Sequence, residues 1–143
     1  MKKLICACVL CLLPFLAHSA DKALMSNRLQ SYLTILNNIS QGQSYSQIEA
    51  GKILSPGFYK ALNGVTQATN RTEYLNHLVA VNKKQGNWKI QMIDTFVCPE
   101  SNMAVTHMTM DMLQGKFISI AIKKFGNDNR ISEMDEVVSK VED

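Results

Sequence analysis

Apolar residues recur at intervals of three and four from Asp21 to about Ile39, at Leu24, Met25, Leu29, Tyr32, Leu33, Ile35, Leu36 and Ile39. That spacing predicts an amphipathic helix with one buried face. Gln41-Gly42-Gln43 ends it, Ser46 to Leu54 reads as a weaker second helix, and Ser55-Pro56-Gly57 then breaks the chain. Asn70-Arg71-Thr72-Glu73 supplies capping residues for a third helix, which carries Tyr74, Leu75, Leu78, Val79 and Val81 and ends near Gln85-Gly86.

After Gly86 the period changes to two. Trp88 to Val97, Met103 to Leu113, Lys116 to Phe125 and Arg130 to Val138 are four successive strand candidates, joined by short turns of Pro-Glu-Ser-Asn, Gln-Gly and Gly-Asn-Asp-Asn. Helices followed by an antiparallel meander make an α+β fold. Placing Val97 opposite Met103 sets Trp88 against Met112, Ile90 against Met110 and Met92 against Met108. Placing Leu113 opposite Lys116 brings Met112 to Phe117, Met110 to Ser119 and Met108 to Ala121. One face is then Trp, Ile, Phe and methionine. The other sets Lys89 against Asp111, Gln91 against Thr109, and His107 among Ile93, Ile118, Ile120 and Ile122. A one-residue slip would exchange the faces.

The N-terminus changes the composition to be counted. Met1-Lys2-Lys3, an apolar run from Leu4 to Leu16, and small residues at Ala17, Ser19 and Ala20 have the layout of a secretory signal peptide cleaved after Ser19. The run is shorter than the about 20 residues of a membrane-spanning helix. The expected product is residues 20–143, a single domain exported to a bacterial periplasm or secreted, with no stable membrane insertion once the leader is gone. Cys6, Cys8 and Cys11 leave with the leader, so Cys98 has no partner for an intramolecular disulfide, and burial is its expected state.

Removing Lys2 and Lys3 leaves thirteen basic residues against twelve acidic, and Lys83-Lys84 and Lys123-Lys124 are isolated pairs. Nucleic acid is not an expected partner. No HExxH, pair of CxxC motifs, GxSxG or phosphate-cradling glycine loop occurs, so neither a metal nor a cofactor is expected. Gly126-Asn127-Asp128-Asn129 lacks the ligand series of a calcium loop and reads as a hairpin turn.

Lys116-Phe-Ile-Ser-Ile-Ala-Ile-Lys-Lys-Phe125, followed by Gly-Asn-Asp-Asn-Arg-Ile-Ser-Glu-Met134, resembles the closing hairpin of the nuclear-transport-factor-2-like, or SnoaL-like, superfamily. Gln30-Ser31-Tyr32 through Leu36-Asn37 is similar to its first helix. The resemblance implies a cystatin-like cone, with N-terminal helices closing over a curved antiparallel sheet of four to six strands. It implies an apolar cavity lined by Trp88, Ile90, Met92, Met108, Met110 and Phe117, with Tyr32 entering from the first helix. The same side chains could instead fill a core, because methionine packs irregular space readily.

Two functional classes follow. One is a non-catalytic module that takes a small apolar ligand in the cone, or a partner through its outer sheet face, where the isoleucines beside His107 suit a homodimer. The other is a small cofactor-independent dehydratase, isomerase or polyketide cyclase with Tyr32, Asp94 and His77 as acid/base candidates. In the trial register Asp94 shares the face of Met92 and Met108, whereas His107 does not. Ketosteroid isomerases of this superfamily add a carboxylate base and a protonated Asp to the helix tyrosine. By resemblance those positions fall near Asn63-Gly64 and at Ala121, where this chain has no carboxylate.

Overall fold

The computed structural model describes residues 22–142; the expected leader, with its three cysteines, lies outside the described residues. Helix α1 spans residues 22–40 and buries Met25, Leu29, Tyr32, Ile35, Leu36 and Ile39, the stripe expected from the spacing. Helix α2, Gln47–Ile53, starts at Ser46, whose side chain accepts from the Glu49 N–H. Helix α3, Arg71–Gln85, starts at Asn70, whose side chain accepts from the Glu73 N–H, and ends at Gly86. These caps satisfy backbone donors that a helix start leaves unpaired. No helix among the described residues is long and apolar enough to cross a membrane.

Six strands form one curved sheet. They are β1 (Leu54–Leu62), β2 (Val65–Ala68), β3 (Lys89–Cys98), β4 (Met103–Met112), β5 (Gly115–Phe125) and β6 (Ile131–Lys140). Their order across the sheet is β2-β1-β6-β5-β4-β3. Every pairing is antiparallel except β1 with β6, which is parallel and makes the sheet mixed. The α+β cone is as expected. Strands β1 and β2 are an addition, because Ser55-Pro56-Gly57 reads locally as a break. The β1–β6 register shifts between Leu54 and Tyr59, so the segment that holds Pro56 lies between the paired positions, where a proline costs no ladder bond.

The β3–β4 register carries Ile90 opposite Met110 and Met92 opposite Met108, as the sequence suggests, but it shifts between Met92 and Asp94. Beyond that bulge Val97 pairs with Ala104 instead of Met103. Asp94 therefore falls opposite His107 on the convex face and is exposed, which corrects its expected place beside Met92. The β4–β5 turn is Leu113-Gln114, and Met110 meets Phe117 while Met108 meets Ser119. That register differs from the trial one by two residues, so every side chain keeps its face.

Ser40 joins the elements around one end of the cone. Its carbonyl accepts from the Trp88 N–H at 3.0 Å and from Asn82 Nδ2 at 3.0 Å, tying the end of α1 to α3 and to the approach of β3. Arg130 donates to the Gly51 carbonyl and Arg71 to that of Leu54, which holds the end of α2 against the sheet. Cys98 is half-buried, not sequestered as expected, and its thiol donates to Glu100. The Gly126–Arg130 turn closes on its own backbone, and Asp128 pairs with Arg130.

Phe58 is fully buried on β1, its ring 4.9 Å from that of Tyr74. Phe58→Ala should destabilise the protein by about 3–5 kcal/mol through lost burial and the cavity left behind. Urea unfolding measures this, and a cost below about 1 kcal/mol would contradict the packing described.

Candidate functional site

Alternation along β4 and β5 puts Met108, Met110, Phe117, Ser119 and Ala121 on the concave face, and α1 and α3 cover it. A cavity of about 250 Å³ lies between them. Its walls are mainly apolar and include Leu36, Leu78, Trp88, Ile90, Met110 and Phe117. Ser119 and Ala121, on the same face, are fully buried.

Polar residues also reach the cavity, among them Tyr32 of α1, Lys60 of β1, Tyr74 of α3 and Glu136 of β6, which form one cluster. The Tyr32 and Tyr74 hydroxyls are 2.5 Å apart, and Tyr32 also lies 3.6 Å from Met134 Sδ. Lys60 Nζ donates to Glu136 Oε2, and Ser119 Oγ donates to Oε1 of the same carboxylate. Behind this layer Lys123 is wholly buried on β5, donates to Thr106 Oγ1, and holds its Nζ 5.3 Å from the centre of the Tyr32 ring.

Burial governs the ionisation of the cluster. It pushes both tyrosine hydroxyls up, and the charge of Glu136 adds to the effect, so both stay protonated at neutral pH. It pulls Lys60 down against the opposing pull of Glu136. Lys123 drops to about 7, chiefly through desolvation, with Glu136 resisting and Lys60 adding to the fall. One carboxylate thus serves two buried amines.

Of the residues expected to line the cavity, Tyr32, Trp88, Ile90, Met108, Met110 and Phe117 do so. Met92 lies instead in a separate cleft against Leu29 and Gln30 of α1. Among the acid/base candidates, Tyr32 and the exposed His77 reach the cavity, and Asp94 is excluded from it by the β3 bulge. Lys60, Tyr74, Glu136 and Lys123 were not singled out by the sequence. Lys123 had a readable signal, because the alternation Phe117, Ser119, Ala121 continues inward to it.

The buried amine makes stability depend on pH. In the unfolded chain Lys123 returns to about 10.4, so between pH 7 and 10 the unfolded state holds more protons and stability rises with pH. Below pH 7 both states are protonated and the penalty is constant. Urea midpoints at pH 7.5 and 9.5 should rise more in the native protein than in Lys123→Met; equal shifts in both would contradict a buried, depressed amine.

No family model matches the chain, and no curated protein matches it in sequence. Solved structures do match. A candidate ketosteroid isomerase from Kribbella flavida superposes with a TM-score of 0.67 at 12% identity, covering 86% of this chain and 83% of that one. A protein of unknown function with a cystatin-like fold from Methylobium petroleophilum gives 0.66 at 10% identity, covering 85% and 80%. A candidate isomerase of the SnoaL-like family from Agrobacterium tumefaciens gives 0.64 at 9% identity, covering 82% and 98%. The chain has the nuclear-transport-factor-2-like, or SnoaL-like, fold, a helix-covered cone with its cavity on the concave face of the sheet.

Proposed function

We propose that this protein is an exported, non-catalytic binding module, periplasmic or secreted, that holds a small apolar ligand in its cone. The apolar cavity of about 250 Å³ carries this reading. It lies just below the about 300–1,000 Å³ usual for drug-sized ligands, so the occupant is small. The polar groups argue against acid/base turnover. A general base must lie within reach of the proton it takes. Glu136 is already committed to Lys60 through one oxygen and to Ser119 through the other, and Asp94 is on the opposite face. A dehydratase, isomerase or cyclase would therefore have to work from Tyr32 and His77 without the third expected partner.

Trp88 is the chain's only tryptophan, lines the cavity and reports on its contents. Titration with 1-octanol should change its fluorescence saturably. An unchanged spectrum across the range of octanol solubility would overturn the reading. Intact mass of the exported protein should in parallel show a chain beginning at Ala20.

A second copy of the chain suits the convex face. Cross-strand rows bring Phe96, Val105 and Ile122 together, and His107, Ile120 and Val137 beside them. Phe96 is 67% exposed, Ile120 50% and Val137 63%, which leaves a contiguous apolar surface uncovered. Charges of both signs surround it, with Lys89 paired to Asp111 and Lys124 to Glu133. An apolar centre with a mixed-sign rim can meet its own copy across a two-fold axis. Ile120→Glu should convert the dimer to a monomer in analytical ultracentrifugation while leaving the octanol response intact; a persistent dimer would contradict this interface.

A further inference from the structure

Under the apolar walls of the cavity, the polar cluster sets two amines against one carboxylate. Its amines are Lys60 and Lys123, and its only carboxylate among the described residues is Glu136, which is paired with Lys60. Four hydroxyls, on Tyr32, Tyr74, Thr106 and Ser119, add further donors. Against these, the one carboxylate already accepts from Lys60 and Ser119 through its two oxygens. Buried ammonium groups without a counter-charge are costly, and a low-dielectric wall strengthens the attraction for any anion that arrives. What the cluster lacks is an anion to match Lys123 once that amine is protonated.

We infer that the ligand is a small amphiphile with a single carboxylate head and a hydrocarbon body, its head set against Lys60 and its charge balancing that of Lys123. This rests on the reading of the cone as a ligand cavity and names the chemical class of the occupant. Lys60 lines the cavity and makes the contact, with the Tyr32 and Tyr74 hydroxyls beside it as neutral donors. Lys123 does not line the cavity and acts through its charge, from behind Tyr32. The hydrocarbon body lies along Trp88, Met110 and Phe117. A cation in the same place would face two lysines, and a neutral alcohol would leave the imbalance uncorrected.

Ionisation supports this arrangement. Burial lowers Lys123 to about 7, so at pH 8 the empty cavity holds it mainly neutral. The groups that face it or set its charge are Lys60 of β1, Glu136 of β6, Tyr32 of α1 and Thr106 of β4. A bound carboxylate adds a second negative charge, raises the Lys123 affinity for a proton and draws that proton from solvent.

The test compares octanoate, 1-octanol and octylammonium, which share a hydrocarbon body and differ in the head, by Trp88 fluorescence and calorimetry at pH 8. Octanoate should bind about tenfold or more tightly than 1-octanol, octylammonium weakest, because its head gains the attraction of Lys60 and of a Lys123 that takes up a proton on binding. Its binding enthalpy should depend on the ionisation enthalpy of the buffer, reporting proton uptake, whereas that of 1-octanol should not. In Lys123→Met the octanoate advantage and the proton uptake should vanish while 1-octanol still binds, because the replaced side chain is not in the cavity wall. Equal binding of octanoate and 1-octanol, or a preference for octylammonium, in the native protein would overturn the inference and leave the cavity reading intact. Binding of none of the three would overturn the cavity reading itself. The head-group comparison in the native protein needs no variant, so a poorly folding Lys123→Met leaves the inference open to refutation.

Discussion

Glu136 is the point on which the interior of the cone depends. Through one carboxylate it connects β6, its own strand, to Lys60 on β1 and Ser119 on β5. Those three strands include the parallel pair that joins the first hairpin to the closing meander. A buried ion pair of this kind contributes little net stability, since desolvation offsets most of its Coulomb gain. Its consequence is specificity: Glu136 faces the cone only in one register, and a slip by one residue would carry it to the convex side. Breaking the pair from either side would leave a charge uncompensated among Tyr32, Tyr74 and Met134.

The same alternation that turns Glu136 inward also creates the space above it. Strand β4 presents Met108, Met110 and Met112 to the cone, and β5 answers with Phe117, Ser119 and Ala121. Met108 thus stands opposite the short Ser119, and Met112 opposite Gly115. Methionine adapts to an occupant more readily than a branched residue does. The rigid parts are elsewhere, in the Ser40 carbonyl that fixes Trp88 and in the tyrosine pair that joins α1 to α3. The cavity therefore combines a fixed polar cluster with compliant walls.

Much of this was legible in the sequence because it depends on period. The stripe of α1 and the inward row of Trp88, Ile90, Met108 and Met110 follow from spacing, and the cap at Asn70 from residue type. Two kinds of feature were not. The bulge at Ile93 changes parity within a strand, and no residue there announces it, so Asp94 was assigned to the wrong face. Strand β1 begins with a Pro-Gly pair and owes its existence to pairing with β6, a contact remote in sequence. With β1 unread, Lys60 had no face. Lys123 was overlooked for a different reason: a lysine in an alternating strand is ordinarily taken as surface, even where the period directs it inward.

The chemistry of the cone follows from where its charges sit as much as from which residues it contains. Ala121 occupies the strand position at which the resemblance to ketosteroid isomerases would place a protonated acid, and a carboxylate does lie beside it, supplied by Glu136 across the β5–β6 ladder. Moving an acid by one strand changes its partners. Glu136 meets Lys60 and Ser119, one at each carboxylate oxygen. The helix tyrosine survives next to it, but it bonds to a second tyrosine and not to a catalytic acid. Where the buried carboxylate stands, and whether a lysine is paired with it, thus changes the chemistry that one fold can present.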